Sequence, residues 1–173
     1  MFTLMSRESR PIRPDPVTGL PGRERFYDVG RKELSMAQRF GIEIGLVLVQ
    51  IDDFEGIVET HGESVARQVL RKLAKYIDEA IGSDDMVARL DTCCFAVVPI
   101  SLGNVRVKKT AARILDRVQN TRFSYGDEKL RFTVSIGVGA PAGNLIDRFE
   151  DLVELVRLRM QVASVSGGNR IVS

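Results

Sequence analysis

Apolar residues recur at helical spacing from Arg23 through Phe26, Val29, Leu34 and Ala37, which predicts a helix that stops at Gly41. Residues 44–51 (IGLVLVQI) form a β-branched run with no polar alternation until Gln50, the pattern of a strand buried on both faces in the middle of a sheet. After the connection DDFEGIVETHGE, Val65, Val69, Leu73, Ile77 and Ile81 predict a long amphipathic helix ended by Gly82. Two short apolar runs, 86–90 and 95–100, flank Asp91, Thr92, Cys93 and Cys94 and predict an antiparallel hairpin with a short exposed turn. A helix over 105–118, a strand over 131–139, a helix carrying Phe149, Leu152, Val156, Met160 and Ala163, and an edge strand over 169–173 complete the pattern.

Set the first helix aside and a βαββαβ core remains. That order implies an α+β domain with a central antiparallel or mixed sheet flanked by helices, the core helices sharing one face. With 173 residues, 44% of them hydrophobic, the chain can build a full core. Residues 1–14 hold Arg7, Arg10 and Arg13, several serines and prolines and little periodicity, and read as a flexible basic lead-in to one domain over 15–173. The longest apolar stretch is far short of the roughly 20 residues of a membrane span, so a cytoplasmic protein is expected.

Cys93 and Cys94 are adjacent and His61 is the one histidine, so neither a disulfide framework nor a zinc spacing is present. Apart from the lead-in, the 25 basic and 23 acidic residues balance, and 6% aromatics without Trp give no stacking platform. Nucleic-acid binding is therefore not expected. The paired thiols on a turn suggest a redox or soft-metal site, against the plainer reading that they are ordinary turn residues with no cation beside them. His61 reads as a packed or surface side chain.

Five segments in order carry a family resemblance. DPVTGLPGR (15–23), IDDFEGIVETHG (51–62), DDMVARLDTCCFAVVP (84–99), TVSIGV (133–138) and GGNRI (167–171) resemble the conserved segments of the GGDEF domain, the diguanylate cyclase family. The resemblance implies a nucleotide-cyclase-like palm fold. Active members join two GTP molecules into cyclic di-GMP, with one half-site on each domain of an antiparallel pair, using Mg²⁺ held by acidic side chains.

This chain departs from that pattern at the functional positions. The metal-binding Asp at the end of the central strand corresponds to Gln50, and the acidic pair of the signature hairpin corresponds to Cys93 and Cys94. Mg²⁺ prefers hard oxygen ligands, which a thiol does not supply. The Ile51 carbonyl with Asp52 and Asp53 remain as weak metal candidates. The guanine-reading positions correspond to Val58 and Arg67, and an arginine offers only donors to the donor edge of guanine. The phosphate-side cations fall on Ser164 and Gly168, and the lysine of the loop on Glu55. The inhibitory RxxD motif keeps Asp85 but has Gly82 in place of its arginine.

Residues that shape turns and core, among them Gly19, Leu20, Phe54, Gly62, Arg89, Phe95, Gly137 and Asn169, fit the family. The expectation is a catalytically silent domain with no cofactor, Mg²⁺ entering only with residual nucleotide binding. Its partners would be other signalling domains or proteins, such as a phosphodiesterase or sensory domain, or a second copy. The alternatives are a weak or altered cyclase recruiting Asp52, Asp53 or Asp91 to metal, and a nucleotide sensor without turnover.

Overall fold

The computed structural model describes residues 13–100 and 104–173. The basic lead-in expected over 1–14 therefore lies almost wholly outside the described residues. Helix α1 spans Arg23–Phe40, strand β1 Leu46–Ile51, α2 Phe54–Ala80, β2 Met86–Arg89, β3 Cys94–Val98 and α3 Asn104–Gln119. There follow β4 Phe123–Tyr125, β5 Glu128–Leu130, β6 Val134–Gly139, a 3₁₀ turn Gly143–Leu145, α4 Phe149–Val165 and β7 Arg170–Val172.

The main sheet has the order β2-β3-β1-β6-β7. It is antiparallel except for the edge pair of β6 with β7. As its unbroken apolar run requires, β1 is the central strand, and its alternation feeds two cores. Val47, Val49 and Ile51 face α2 and α3. Leu46 and Leu48 face α1 and α4. The two helices of the βαββαβ core share one side of the sheet, and the flanking helices seal the other.

Helix α4 lies so close to β6 that a Cβ on Gly137 would meet the Val156 carbonyl and the Met160 amide, backbone atoms that cannot swing aside. Gly137→Ala is expected to lower stability by about 1–3 kcal/mol through overpacking. An unchanged urea midpoint would show that α4 can shift at no cost.

Three features depart from the sequence reading. Helix α2 starts at Phe54 rather than near Val65 and absorbs most of the DDFEGIVETHGE connection. It kinks at Gly62, whose φ of 86° and ψ of 168° break the helical path. The β4–β5 hairpin was not foreseen, because strands of three residues carry too little alternation to read. Finally, β3 begins at Cys94, so the second thiol belongs to the strand rather than to the turn.

Candidate nucleotide and metal site

Strand register brings the metal-position residues together at one end of the sheet. Gln50 pairs with Cys94 on one side and with Ser135 on the other. The Gln50 side chain lies near the Cys93 thiol and acts to lower its pKa. Cys94 is buried against the α1 and α4 core, and its thiol makes only a long contact of 3.9 Å to the Phe95 carbonyl.

This corrects the expectation for Cys94, whereas Cys93 stays in the turn and is partly exposed. Burial pushes the Cys94 thiol up to about 12, with the Asp91 charge adding to it. Burial also raises Cys93, again with Asp91, despite the Gln50 side chain and the nearby Arg89 charge that act against it. Both groups are protonated at neutral pH, whereas metal binding and thiol exchange use the thiolate. An amide and two neutral thiols are not a donor set for Mg²⁺.

Of the weak metal candidates, Asp52 is engaged in three hydrogen bonds within the fold. Its carboxylate accepts from Thr133 Oγ1 at 2.7 Å, Ser135 Oγ at 2.6 Å and the Asn169 amide at 2.9 Å. Its own amide donates to the Thr133 carbonyl at 2.9 Å. A Cβ at Gly168 would lie 2.5 Å from Asp52 Oδ2, so the turn after α4 wraps directly over this carboxylate. Asp52 is thus a tie between β1, β6 and the turn that leads into β7. One hint of this lay in the sequence: Thr133 and Ser135, two apart on a strand, offer hydroxyls on one face.

Asp53 caps α2 in the left-handed region, with φ 47° and ψ 44°, and its carboxylate lies over Gly56. Asp91 is held in the hairpin turn, where its carboxylate accepts from the Cys93 amide at 3.4 Å. Among the described residues no three His, Cys, Asp or Glu side chains converge on one point that could hold a metal ion.

Val58 and Arg67 stand at the guanine positions. Val58 is half-buried against the α2 core, and Arg67 is exposed, paired with Glu63 one turn earlier at 3.2 Å. Glu55 and Ser164 are exposed, and Gly168 is buried backbone at φ +67°. His61 is 3.5 Å from Glu128 of the β4–β5 hairpin, a surface contact as expected.

Two arginines do work that sequence spacing does not show. Arg89 donates to both Asp15 oxygens at 3.0 and 3.1 Å and to the carbonyls of Asp91 and Thr92, joining the DPVTGL loop to the hairpin turn. Desolvation would raise the Asp15 pKa, but the Thr18 hydroxyl and amide together with Arg89 outweigh it and hold the carboxyl below its ordinary value.

The other arginine is Arg106 of α3. Its Nη2 lies 3.0 Å from Asp85 Oδ2 and fills the space beside Gly82. Asp85 is buried and also accepts from the Gly82 and Ile100 amides. The guanidinium missing from the RxxD motif is therefore supplied by another helix. A cleft beside it is lined by Ala80, Ile81, Gly82, Lys109, Thr110 and Arg113. Helix α3 carries Arg106, Lys108, Lys109, Arg113 and Arg117 against Asp116 alone. The neutral total thus conceals one basic helix.

The family model for the diguanylate cyclase GGDEF domain matches residues 13–170. The chain belongs to the GGDEF-domain family. It is 25% identical over 171 residues to the diguanylate cyclase DosC of Escherichia coli K12, an alignment covering 99% of this chain and 36% of DosC. It is 30% identical over 162 residues to the response regulator PleD of Caulobacter vibrioides, covering 91% of this chain and 35% of PleD. The chain thus spans about a third of the length of these relatives.

Among solved structures, the GGDEF domain of DgcB from Caulobacter crescentus, in complex with c-di-GMP, superposes with a TM-score of 0.87 at 24% identity, covering 99% of this chain and 97% of that one. The diguanylate cyclase SiaD of Pseudomonas aeruginosa, in complex with its activator SiaC, gives 0.85 at 25% identity over 94% of this chain and 61% of its own. The GGDEF fold, a mixed sheet flanked by helices, is thereby shown. No helix among the described residues is long and apolar enough to cross a membrane.

Proposed function

We propose that this GGDEF domain is catalytically silent and serves in the cytoplasm as a regulatory or protein-interaction module of cyclic di-GMP signalling. The observation that carries the reading is that Gln50 and the buried Cys94 are register partners at the end of the central strand, with Cys93 next to them, where the family has acidic metal ligands. A GGDEF cyclase uses Mg²⁺ there, and this site offers it an amide and two protonated thiols while Asp52 is spent on three hydrogen bonds. Regulation through a second protein has a parallel in the SiaD complex with its activator. The partner of this chain would be another signalling domain, such as a phosphodiesterase or a sensor.

Incubation of the purified protein with GTP and Mg²⁺, followed by product analysis, tests the proposal. No cyclic dinucleotide above a protein-free control is expected, and its formation would refute the silent-domain reading. Restoring only the hairpin acids, Cys93→Asp with Cys94→Glu, is expected to leave the protein inactive, because Gln50, Val58, Arg67 and Ser164 are unchanged. Activity regained by that pair of changes would show that the hairpin alone had been limiting.

A second reading, a nucleotide sensor without turnover, draws support from Arg106, which stands against Asp85 beside Lys109 and Arg113. Guanidinium and ammonium groups around one cleft suit a phosphate-bearing ligand. Calorimetry with GTP, ATP and cyclic di-GMP decides it: heat with any of them favours the sensor, and none favours interaction alone.

A further inference from the structure

Strand β7 pairs with Ser135, Ile136 and Gly137, and past that pairing the last part of β6 borders a cleft of about 290 Å³. Val138, Gly139, Ala140, Pro141 and Leu155 line it, with Lys108 of α3 and Arg159 of α4 at its rim. The two helices pack on opposite faces of the sheet, α3 through Val107, Ala111 and Ile114 and α4 through Leu152, Val156 and Met160. Each face thus contributes one cation. The cleft is remote from the metal-position residues, because Gln50 pairs with Ser135 whereas Leu46 pairs with Gly139, four residues or roughly 13 Å further along β6.

Elsewhere in the fold Arg31, Arg67, Arg89, Arg106 and Arg117 each meet a carboxylate. No acidic side chain lines this cleft. Arg159 Nη1 donates to the Val138 carbonyl at 2.7 Å, which anchors the guanidinium and leaves its Nε–Nη2 edge as two parallel donors spaced for two oxygens of one anion. Strand alternation supplies a further donor. Gly139 faces Leu46 of β1 and the Val138 carbonyl faces outward to Arg159, so Ala140, two residues beyond Val138, turns its amide to the same outer side.

We propose that this cleft binds a small phosphoryl-bearing anion, held by the Arg159 fork, the Lys108 ammonium and the Ala140 amide. A planar fork, a mobile point charge and a backbone N–H converge from different directions, which suits a tetrahedral dianion better than a flat carboxylate. Pockets for drug-sized ligands measure roughly 300–1,000 Å³, so a cleft at the bottom of that range takes a phosphoryl group on a small body and excludes a cyclic dinucleotide. The site is also separate from the cleft beside Asp85. Lys109 and Arg113 line that one, whereas Lys108, one residue earlier, stands about 100° away around α3.

The anion site goes beyond the silent-domain reading and does not depend on it. Cyclic dinucleotide from the GTP assay would end that reading and leave the cleft as it is. Failure of the anion to bind would leave the catalytic reading untouched.

Titration of the isotope-labelled protein with inorganic phosphate, followed by amide NMR at constant ionic strength so that screening does not change, tests it. Saturable shifts are expected at Gly139, Ala140 and Arg159. Glycerol 3-phosphate, run beside free phosphate, distinguishes the two sources of the group: tighter binding assigns the cleft to a phosphoryl group on a carbon body, and equal or weaker binding assigns it to the free ion. Lys108→Ala is expected to weaken binding about tenfold, the effect of losing one charge-assisted contact, with an unchanged melting temperature because the side chain is exposed. Arg159→Gln is expected to weaken it at least as much, and Arg113→Ala to leave it unchanged. The absence of saturable shifts at these amides, binding indifferent to Lys108→Ala, binding lost in Arg113→Ala, or succinate bound as tightly as phosphate would each overturn the proposal.

Discussion

Asp52→Ala is expected to destabilise the domain by about 3–5 kcal/mol, lowering the melting temperature by on the order of 10 °C. The carboxylate accepts hydrogen bonds from Thr133, Ser135 and the Asn169 amide. Hydrogen bonds to a charged acceptor contribute roughly 1.5–3 kcal/mol each, and the loss is partly recovered where water reaches the abandoned donors. It cannot reach Ser135, which is fully buried. Asp52→Asn should recover part of the loss, because one amide oxygen accepts while the amide nitrogen faces donors. Urea denaturation of both variants checks the order. A melting temperature within a degree or two of the parent for Asp52→Ala would mean that the turn over Gly168 is not held by this side chain, and would return Asp52 to the pool of metal ligands.

Arg89→Met is the second large effect. The Arg89 and Asp15 side chains are 13% and 17% exposed, and removing one member of a largely buried pair leaves the other charge uncompensated, at a cost of about 3–5 kcal/mol. The variant also frees the Asp91 and Thr92 carbonyls at the hairpin turn. The pH dependence carries a definite sign. Asp15 has a folded pKa below its ordinary value of 3.8, so it binds protons less readily in the folded state than in the unfolded one. Its stabilisation is complete above that ordinary value and is lost as the pH falls from there through the folded value. Denaturant midpoints at neutral pH and at pH values around and below the ordinary carboxylate range should converge for parent and variant as the acid is titrated. A gap that stayed constant down to the lowest pH would show that Asp15 does not contribute through its charge.

Both variants probe positions whose importance lies in what they hold together across the chain. Asp15 and Arg89 are 74 residues apart, and Asp52 reaches residues 81 and 117 positions away. No local pattern encodes such pairings. The motif resemblance marked Arg89 and Asn169 as family-like positions without saying that each meets a carboxylate.

The candidate site divides along the same line. That Gln50, Cys93 and Cys94 replace acidic residues is a matter of chemical identity, and the hard-ion argument against Mg²⁺ follows from it directly. Their surroundings are not. An exposed turn and a buried strand position predict opposite behaviour for a thiol, and only the pairing of Cys94 with Gln50 shows which applies. The arginine beside Asp85 was likewise invisible, because a motif reader looks three residues upstream and Arg106 arrives 21 residues downstream on a different helix.

By itself the sequence determined the class of fold, the central position of β1, the hairpin and the four helices, since periodicity of apolar residues is a local property that burial enforces. It also determined which chemical groups stand at the family's functional positions. The tertiary structure alone decided that Asp52 ties β1 to β6 and to the turn before β7, that one thiol is shut into the core, and that a guanidinium returns to Asp85. Each of these depends on contacts between distant segments, and such contacts are selected by the packing of the whole domain, where a side chain's partners are whatever the sheet and helices bring beside it.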